Sequence, residues 1–209
     1  MEYIDKVIKK SNLDLNDSIS IYGTWGAQQN PNTFEVFFNF IKEIKPSRIL
    51  EIGTSIGGLT QFLNHTINSL NIDCNILTFD INELSWYDNM RSEGIDVKIQ
   101  NIFSNNYSKV EEFVIEYIRG EGITIVLCDG GNKIGEFNLL SNFLKSGDFI
   151  LAHDYAKNYE TFNTEIKNKI WNWCEIMDTD INEAVNRNNL VNYNQETFNK
   201  IVWVCKRKN

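Results

Sequence analysis

Short runs of β-branched and aliphatic residues alternate along this chain with longer stretches whose apolar positions recur every three or four residues. The short runs read as strands: SRILEIG (47–53), NILTFDI (75–81), DVKIQNI (96–102), ITIVLCD (123–129) and DFILAHD (148–154). The stretches between them read as helices: IGGLTQFLNHTINSL, ELSWYDNMRSEG, NNYSKVEEFVIEYIRG and KIGEFNLLSNFLKSG. Gly94, Gly120 and Gly147 stand where helices should stop. Ahead of the first strand, Asn30-Pro31 opens a helix carrying FEVFFNFIKEI, and MEYIDKVIKKSNLDL at the start has the pattern of a short amphipathic helix. Strands this apolar, separated by helices, predict an α/β fold: a doubly wound, mostly parallel sheet with helices on both faces.

The tail breaks the rhythm. IWNWCEIMDTDINEAVNRN reads as a helix, or as a loop followed by one. LVNYN and FNKIVWVCKRK then suit a C-terminal antiparallel hairpin closing one edge of the sheet. With no repeat and no linker rich in Pro or Gly, residues 1–209 are expected to form a single domain.

Composition narrows the function classes. Hydrophobic residues at 42% and charged residues at 23% of 209 are ordinary for a globular chain. The apolar runs are too short to span a bilayer, and acidic residues interrupt the N-terminus where a signal peptide would be apolar. Cys74, Cys128, Cys174 and Cys205 form no CxxC pair, which favours buried free thiols and a cytoplasmic location. A net charge of −8 gives no support to nucleic-acid binding, and the one basic cluster is Lys206 to Lys208.

Open α/β sheets bind ligands at the carboxyl ends of their strands. Here those ends read Glu51-Ile52-Gly53-Thr54-Ser55-Ile56-Gly57-Gly58, Asp80-Ile81, Gln100-Asn101-Ile102, Asp129-Gly130-Gly131 and His153-Asp154-Tyr155. A glycine turn leading into a helix N-terminus suits a polar or anionic ligand. Asp80 follows Gly58 by 22 residues, near the distance at which an acid meets a ribose diol in dinucleotide sites. Yet the spacing Gly53-x-x-x-Gly57-Gly58 is not GxGxxG, and Glu51 would repel a pyrophosphate. A nucleoside carrying a cation fits better, and S-adenosylmethionine, with its amine and sulfonium, is such a ligand.

These residues resemble a family. EIGTSIGG is similar to the first motif of class I S-adenosylmethionine-dependent methyltransferases, in the branch of catechol-type, sugar and macrolide O-methyltransferases. LTFD, VLCDGG and GDFILAHDY resemble the ends of that family's second, fourth and fifth strands. The resemblance implies a Rossmann-like core over 46–155, N-terminal helices and a lid within 1–45, and an acceptor-side insertion plus closing hairpin in 156–209. It implies that Gly53, Gly57 and Gly58 admit the methionine portion, with Thr54 and Ser55 offering hydroxyls or amides. Glu51 would lie at or just behind the amino end, Asp80 at the ribose diol and Asn101 and Ile102 beside the adenine, with Ile81 and Asp129 also among the cofactor-binding residues.

An oxygen acceptor must lose a proton to a base or a metal ion. Metal-dependent relatives place one carboxylate after the fourth strand and an acidic pair after the fifth. Asp129 fits the first position, and His153-Asp154 fills the second with imidazole in place of one carboxylate. Asp129, His153 and Asp154 are thus a candidate set for Mn²⁺, Fe²⁺ or Zn²⁺, and less suited to Mg²⁺. The other route is direct catalysis by His153, set on the rim, with Asp154 and Lys133 as further candidates. Lys133 is open between touching the acceptor and pairing with Glu136. IYGTWGAQQNPN (21–32) is open between a lid, with Tyr22 or Trp25 over the sulfonium, and packing on the sheet. Trp171, Trp173 and Tyr155 fall where an acceptor pocket would form, Trp203 reads as core, and His65 as surface or capping. The leading expectation is a methyltransferase acting on an oxygen of a small hydroxylated acceptor, a sugar or natural product. A non-catalytic cofactor-binding regulatory protein and an oxidoreductase are the alternatives. A homodimer is a candidate assembly; no nucleic-acid or membrane partner is expected.

Overall fold

The alternation within each strand decides how the layers form. In the computed structural model, which describes residues 20–22 and 25–209, β1 (Ser20–Tyr22) and β2 (Trp25–Ala27) make a small antiparallel pair. The helix expected at residues 1–15 lies outside the described residues, as do the side chains of Tyr22 and Trp25. Helix α1 (Thr33–Ile44) starts two residues after Pro31, and buries Phe34, Phe37, Phe40 and Ile41 along one stripe. Lys45 ends it in the left-handed conformation, donating its N–H to Ile41 O, before Pro46.

The main sheet follows. Strand β3 (Arg48–Ile52) leads into α2 (Gly58–Ser69), β4 (Asn75–Asp80) into α3 (Tyr87–Ser92), and then comes β5 (Asp96–Ile99). A two-residue hairpin, β6 (Phe103–Ser104) with β7 (Lys109–Val110), precedes α4 (Glu112–Arg119) and β8 (Thr124–Cys128). Helix α5 (Lys133–Leu140), β9 (Phe149–Ala152), β10 (Tyr155–Ala156) and the single turn α6 (Tyr159–Thr161) come next. The chain closes with β11 (Ile176–Met177), α7 (Asp178–Arg187), β12 (Leu190–Asn192), α8 (Gln195–Asn199) and β13 (Val204–Lys208).

The seven-stranded sheet runs β12-β13-β9-β8-β3-β4-β5, parallel except where β13 pairs antiparallel with β9 and β12. This is the expected Rossmann-like architecture with its antiparallel C-terminal pair. Successive strand residues enter opposite layers. Ile49, Ile125 and Leu127 join the aromatic cluster of α1, while Leu50, Val126 and Cys128 join the layer under α4, α5 and α7. Phe37 meets Trp203 at 5.2 Å and Phe40 meets Phe149 at 5.2 Å, edge to face. The strand order turns back between β3 and β8, which opens a crevice at their carboxyl ends.

Three local readings change. The helix expected from Asn105 begins only at Glu112, because Asn105, Asn106 and Tyr107 take φ of 49°, 55° and 59°, a left-handed run that no right-handed helix can continue. The C-terminal strands are joined through α8 rather than a plain polar turn, and β12, not β13, is the sheet's edge. Trp203 is fully buried but just precedes β13. All four cysteines are free, though only Cys128 and Cys205 are buried; Cys74 and Cys174 are half-buried. Among the described residues no helix is long and apolar enough to cross a membrane.

Candidate active site

Backbone geometry shapes one end of the crevice. Gly53 has φ of 93°, and a Cβ there would stand 2.3 Å from the Asp129 carbonyl oxygen. A Cβ on Gly58 would stand 2.2 Å from the Gly26 carbonyl oxygen, so the close neighbour of Gly58 is the protein's own β2. Gly57, also at positive φ, caps α2. Between them Ser55 takes φ of 49° and donates its N–H to Asp80 Oδ2 at 2.7 Å. Asp80 Oδ1 accepts from the Asn82 N–H at 3.0 Å, and Tyr87 donates its hydroxyl to Ser55 O at 2.6 Å. The Thr54 hydroxyl turns inward, 2.6 Å from Thr78 Oγ1.

Glu51 lies beneath this turn and does not line the crevice. Its Oε2 accepts from Thr60 and Thr78 hydroxyls, each at 2.6 Å. Burial pushes its carboxyl up to about 7, against the opposing pull of those two bonds.

The crevice is a cleft of about 660 Å³. Past Asp80 it is walled by Ile81, largely exposed, by the buried Ile102, and by Asn101, whose Oδ1 accepts from the Phe103 N–H at 3.0 Å.

Side chains shape the other end. Parallel pairing of β8 and β9 brings Asp129 and His153 to neighbouring strand ends. His153 Nδ1 lies 3.1 Å from Asp129 Oδ1 and 3.6 Å from Asp154 Oδ1. Its ring stacks 4.9 Å from Trp203, and Nε2 is buried without a partner among the described residues. Asp154 takes φ of 56°, a conformation that costs a non-glycine residue about 1 kcal/mol or more. Trp171 Nε1 holds its Oδ1 at 2.5 Å and Lys133 Nζ its Oδ2 at 3.0 Å. Lys133, the first residue of α5, also reaches Glu175 Oε2 at 2.8 Å, Gly130 O at 3.1 Å and Asp129 Oδ1 at 3.7 Å. Gln29 donates to Asp129 Oδ2 at 2.7 Å and accepts from Trp203 Nε1 at 3.0 Å.

Burial opposes charge at Lys133, His153 and Asp154 alike, yet their mutual attraction wins in each. Asp129 and Asp154 hold the Lys133 ammonium above its ordinary value, and Asp154 and Asp129 raise the His153 imidazole. His153 and Lys133 in turn hold the Asp154 carboxyl below its usual range. The site is a buried, balanced set of two carboxylates against an ammonium and an imidazole.

The sequence profile of the FtsJ-like methyltransferase family matches residues 33–153, more than half of the chain. The chain belongs to this family. It is an S-adenosylmethionine-dependent methyltransferase. Among solved structures, cmcI with Mg and SAM superposes with a TM-score of 0.59 at 16% identity, over 88% of this chain and 73% of that one. A putative caffeoyl-CoA O-methyltransferase from Staphylococcus aureus gives 0.55 at 14%, over 100% and 98%. An O-methyltransferase family protein from Burkholderia thailandensis gives 0.52 at 9%, over 84% and 56%. At these identities the likeness is one of fold. No curated protein matches the chain.

In this methyltransferase the sequence candidates fall into the two groups just described. Two of them move. His153 is not on the rim: its side chain is 3% exposed, under an Asp129 that is 15% exposed. Tyr155 turns away from the cleft and donates its hydroxyl to Asp178 at 2.8 Å in the layer under α7. Lys133 does not pair with Glu136, whose carboxylate instead accepts the N–H groups of Gly130 and Asn132, each at 3.1 Å. Burial pushes Glu136 up to about 7, opposed by those two bonds. The residues missed from sequence are Gln29, Glu175 and Tyr87. Only Gln29 carried any signal, as one of several amides in 28–32.

The three candidate metal ligands do lie together, yet they do not fit a divalent ion. All four carboxylate oxygens of Asp129 and Asp154 already meet a donor or cation, and His153 Nδ1 faces carboxylate. The Lys133 ammonium stands 3.0 Å from Asp154 Oδ2 and 3.7 Å from Asp129 Oδ1, so a divalent ion between the two carboxylates would have to displace a like charge already paired with both.

Proposed function

We propose that this methyltransferase transfers the S-methyl group of S-adenosylmethionine to a hydroxyl oxygen of a small acceptor, a sugar or a comparable hydroxylated natural product. The observation that carries the reading is the buried Asp129–His153–Asp154–Lys133 cluster at the end of the cleft opposite Asp80. The cofactor lies along the glycine turn, with its ribose diol on the Asp80 carboxylate and its adenine between Ile81, Asn101 and Ile102. Glu51, behind the turn, faces the amine through the threonine layer.

The acceptor enters against Trp171, Trp173 and Glu175. Trp173 is 45% exposed and gives a sugar or other ring an apolar face. As the O–CH₃ bond forms, the S–CH₃ bond breaks, leaving S-adenosylhomocysteine. The hydroxyl proton passes to Asp129, whose carboxylate is held in place by the His153 imidazole at 3.1 Å. Most of the acceleration comes from holding the two reactants in line. The acidic surface, with a net charge of −8, favours a small acceptor over nucleic acid.

Calorimetry with S-adenosylmethionine and S-adenosylhomocysteine, on wild type and Asp80→Ala, tests the cofactor half. Micromolar binding weakened at least about 30-fold in the variant is expected from losing two ribose bonds to a carboxylate. Mass spectrometry of a panel of sugars, phenols and amines tests the other half. A 14 Da gain on amines alone would overturn the oxygen assignment.

A further inference from the structure

Asp129, His153 and Asp154 bring ligand atoms within 4.8 Å of one another, close enough to surround a single ion. The place between the two carboxylates is nevertheless filled by a side chain. We propose that the Lys133 ammonium is the resident cation of this site, that it makes methyl transfer independent of divalent metal, and that it receives the acceptor oxygen where Glu175 now sits. The proposal rests on the methyltransferase reading above.

The argument is one of coordination. An ammonium has three N–H groups and no acceptor. Those of Lys133 go to Asp154 Oδ2 at 3.0 Å, Gly130 O at 3.1 Å and Glu175 Oε2 at 2.8 Å. Two of these partners are fixed, one by the backbone and the other by Trp171. The third belongs to a side chain that is 49% exposed, against 10% for Asp154, and so is the partner that an incoming ligand can replace. An acceptor hydroxyl replacing Glu175 would thus meet a cation on one side and, with Asp129 Oδ1 only 3.7 Å from Nζ, a proton acceptor on the other. Those are the two services a bound metal ion would render, polarising the oxygen and fixing its direction.

The rest of the cluster is built for a cation that never leaves. The Lys133 side chain is 7% exposed, anchored at the first residue of α5. Asp129 Oδ2 is tied to Gln29 and Asp154 Oδ1 to Trp171, so each carboxylate presents one oxygen inward, and the Lys133 ammonium stands against both of those. His153 Nδ1, the ring nitrogen beside both carboxylates, is engaged with Asp129.

The test is a calorimetric titration of MnCl₂ into EDTA-dialysed wild type, Lys133→Arg and Lys133→Met, with S-adenosylmethionine binding measured on each sample. Wild type and Lys133→Arg are expected to take no Mn²⁺ up to about 1 mM. Lys133→Met, which keeps the length but removes the charge, is expected to gain at least about 100-fold in Mn²⁺ affinity. Micromolar Mn²⁺ binding by wild type overturns the proposal. So does a Lys133→Met protein that binds the cofactor normally yet gains no affinity for Mn²⁺. If Lys133→Met does not fold, the wild-type and Lys133→Arg titrations still decide, since Mn²⁺ uptake by either refutes a site closed by its own cation. Absence of cofactor binding in wild type is a different failure, that of the methyltransferase reading.

Discussion

The two ends of the cleft are made by different means. At the β3–β4 end the shape comes from backbone: positive φ at Gly53, Ser55 and Gly57, and main-chain N–H groups on Asp80. At the β8–β9 end it comes from side chains drawn from distant parts of the chain: Gln29, Trp171, Glu175 and Trp203 around Asp129, Lys133, His153 and Asp154. A cofactor shared by many reactions can be met by a fixed loop. An acceptor and its proton need charges whose balance is set residue by residue. The first end should therefore fail by misfolding when altered, and the second by loss of turnover.

Gly53→Val gives the largest effect expected. It places a β-branched residue at φ of 93° and drives a Cβ to 2.3 Å from Asp129 O. A loss of about 3 kcal/mol or more of stability should follow, seen as a melting temperature lowered by roughly 6–12 °C, together with lost cofactor binding. A variant that melts like wild type would show that the turn tolerates what its geometry forbids.

Glu51 tests the comparison from inside, being a charge-bearing side chain buried beneath the backbone-built end. Its folded-state carboxyl, pushed up to about 7, holds a proton more tightly than the unfolded chain does at 4.5. Stability from this group is therefore complete below about pH 4.5, falls as pH rises between those values, and levels off above 7. Glu51→Gln removes that loss. Urea titrations should find the variant close to wild type at pH 5 and more stable by up to about 3 kcal/mol at pH 8. Parallel stability curves for the two proteins across that range would mean that Glu51 keeps its charge without cost.

This difference in construction also explains what could be read from the sequence. Gly53, Gly57, Gly58 and Asp80 carry a signal because a local backbone path demands glycine at set positions and an acid at the end of the next strand. The strands themselves were legible for the same reason, each apolar run spanning two buried layers. Asp129 and His153 were legible as strand ends, but the burial of His153 was not. It follows from Trp203, fifty residues later, stacking on the ring. Nor does any local pattern reveal that Gln29 meets Asp129 across 100 positions, or that Glu175 meets Lys133 across 42. The left-handed run at Asn105–Tyr107 was hidden in a stretch whose apolar spacing suited a helix.

Gln29 gives the smallest expected effect and the sharpest test of the side-chain-built end. It is buried, belongs to the segment after β2, and its side-chain amide links Trp203 to Asp129 Oδ2. Gln29→Ala takes the partner from Asp129 Oδ2 and from Trp203 Nε1, so Asp129 keeps only the hold on its other oxygen. Turnover should fall about tenfold, worth about 1.4 kcal/mol, while cofactor affinity changes less than about twofold. Because loss of packing alone could slow the enzyme, a second variant separates positioning from mere structure. Gln29→Glu keeps the size but sets a second carboxyl against Asp129. While that carboxyl holds a proton it can still donate to Oδ2, so activity should approach wild type at low pH. As pH rises the new side chain ionises, repels Asp129 and turns it away from the acceptor, and activity should fall where wild type does not. If Gln29→Ala and Gln29→Glu instead lose the same fraction of turnover at every pH, Gln29 only ties two segments together. The aim of Asp129 would then have to come from His153 and Lys133 alone.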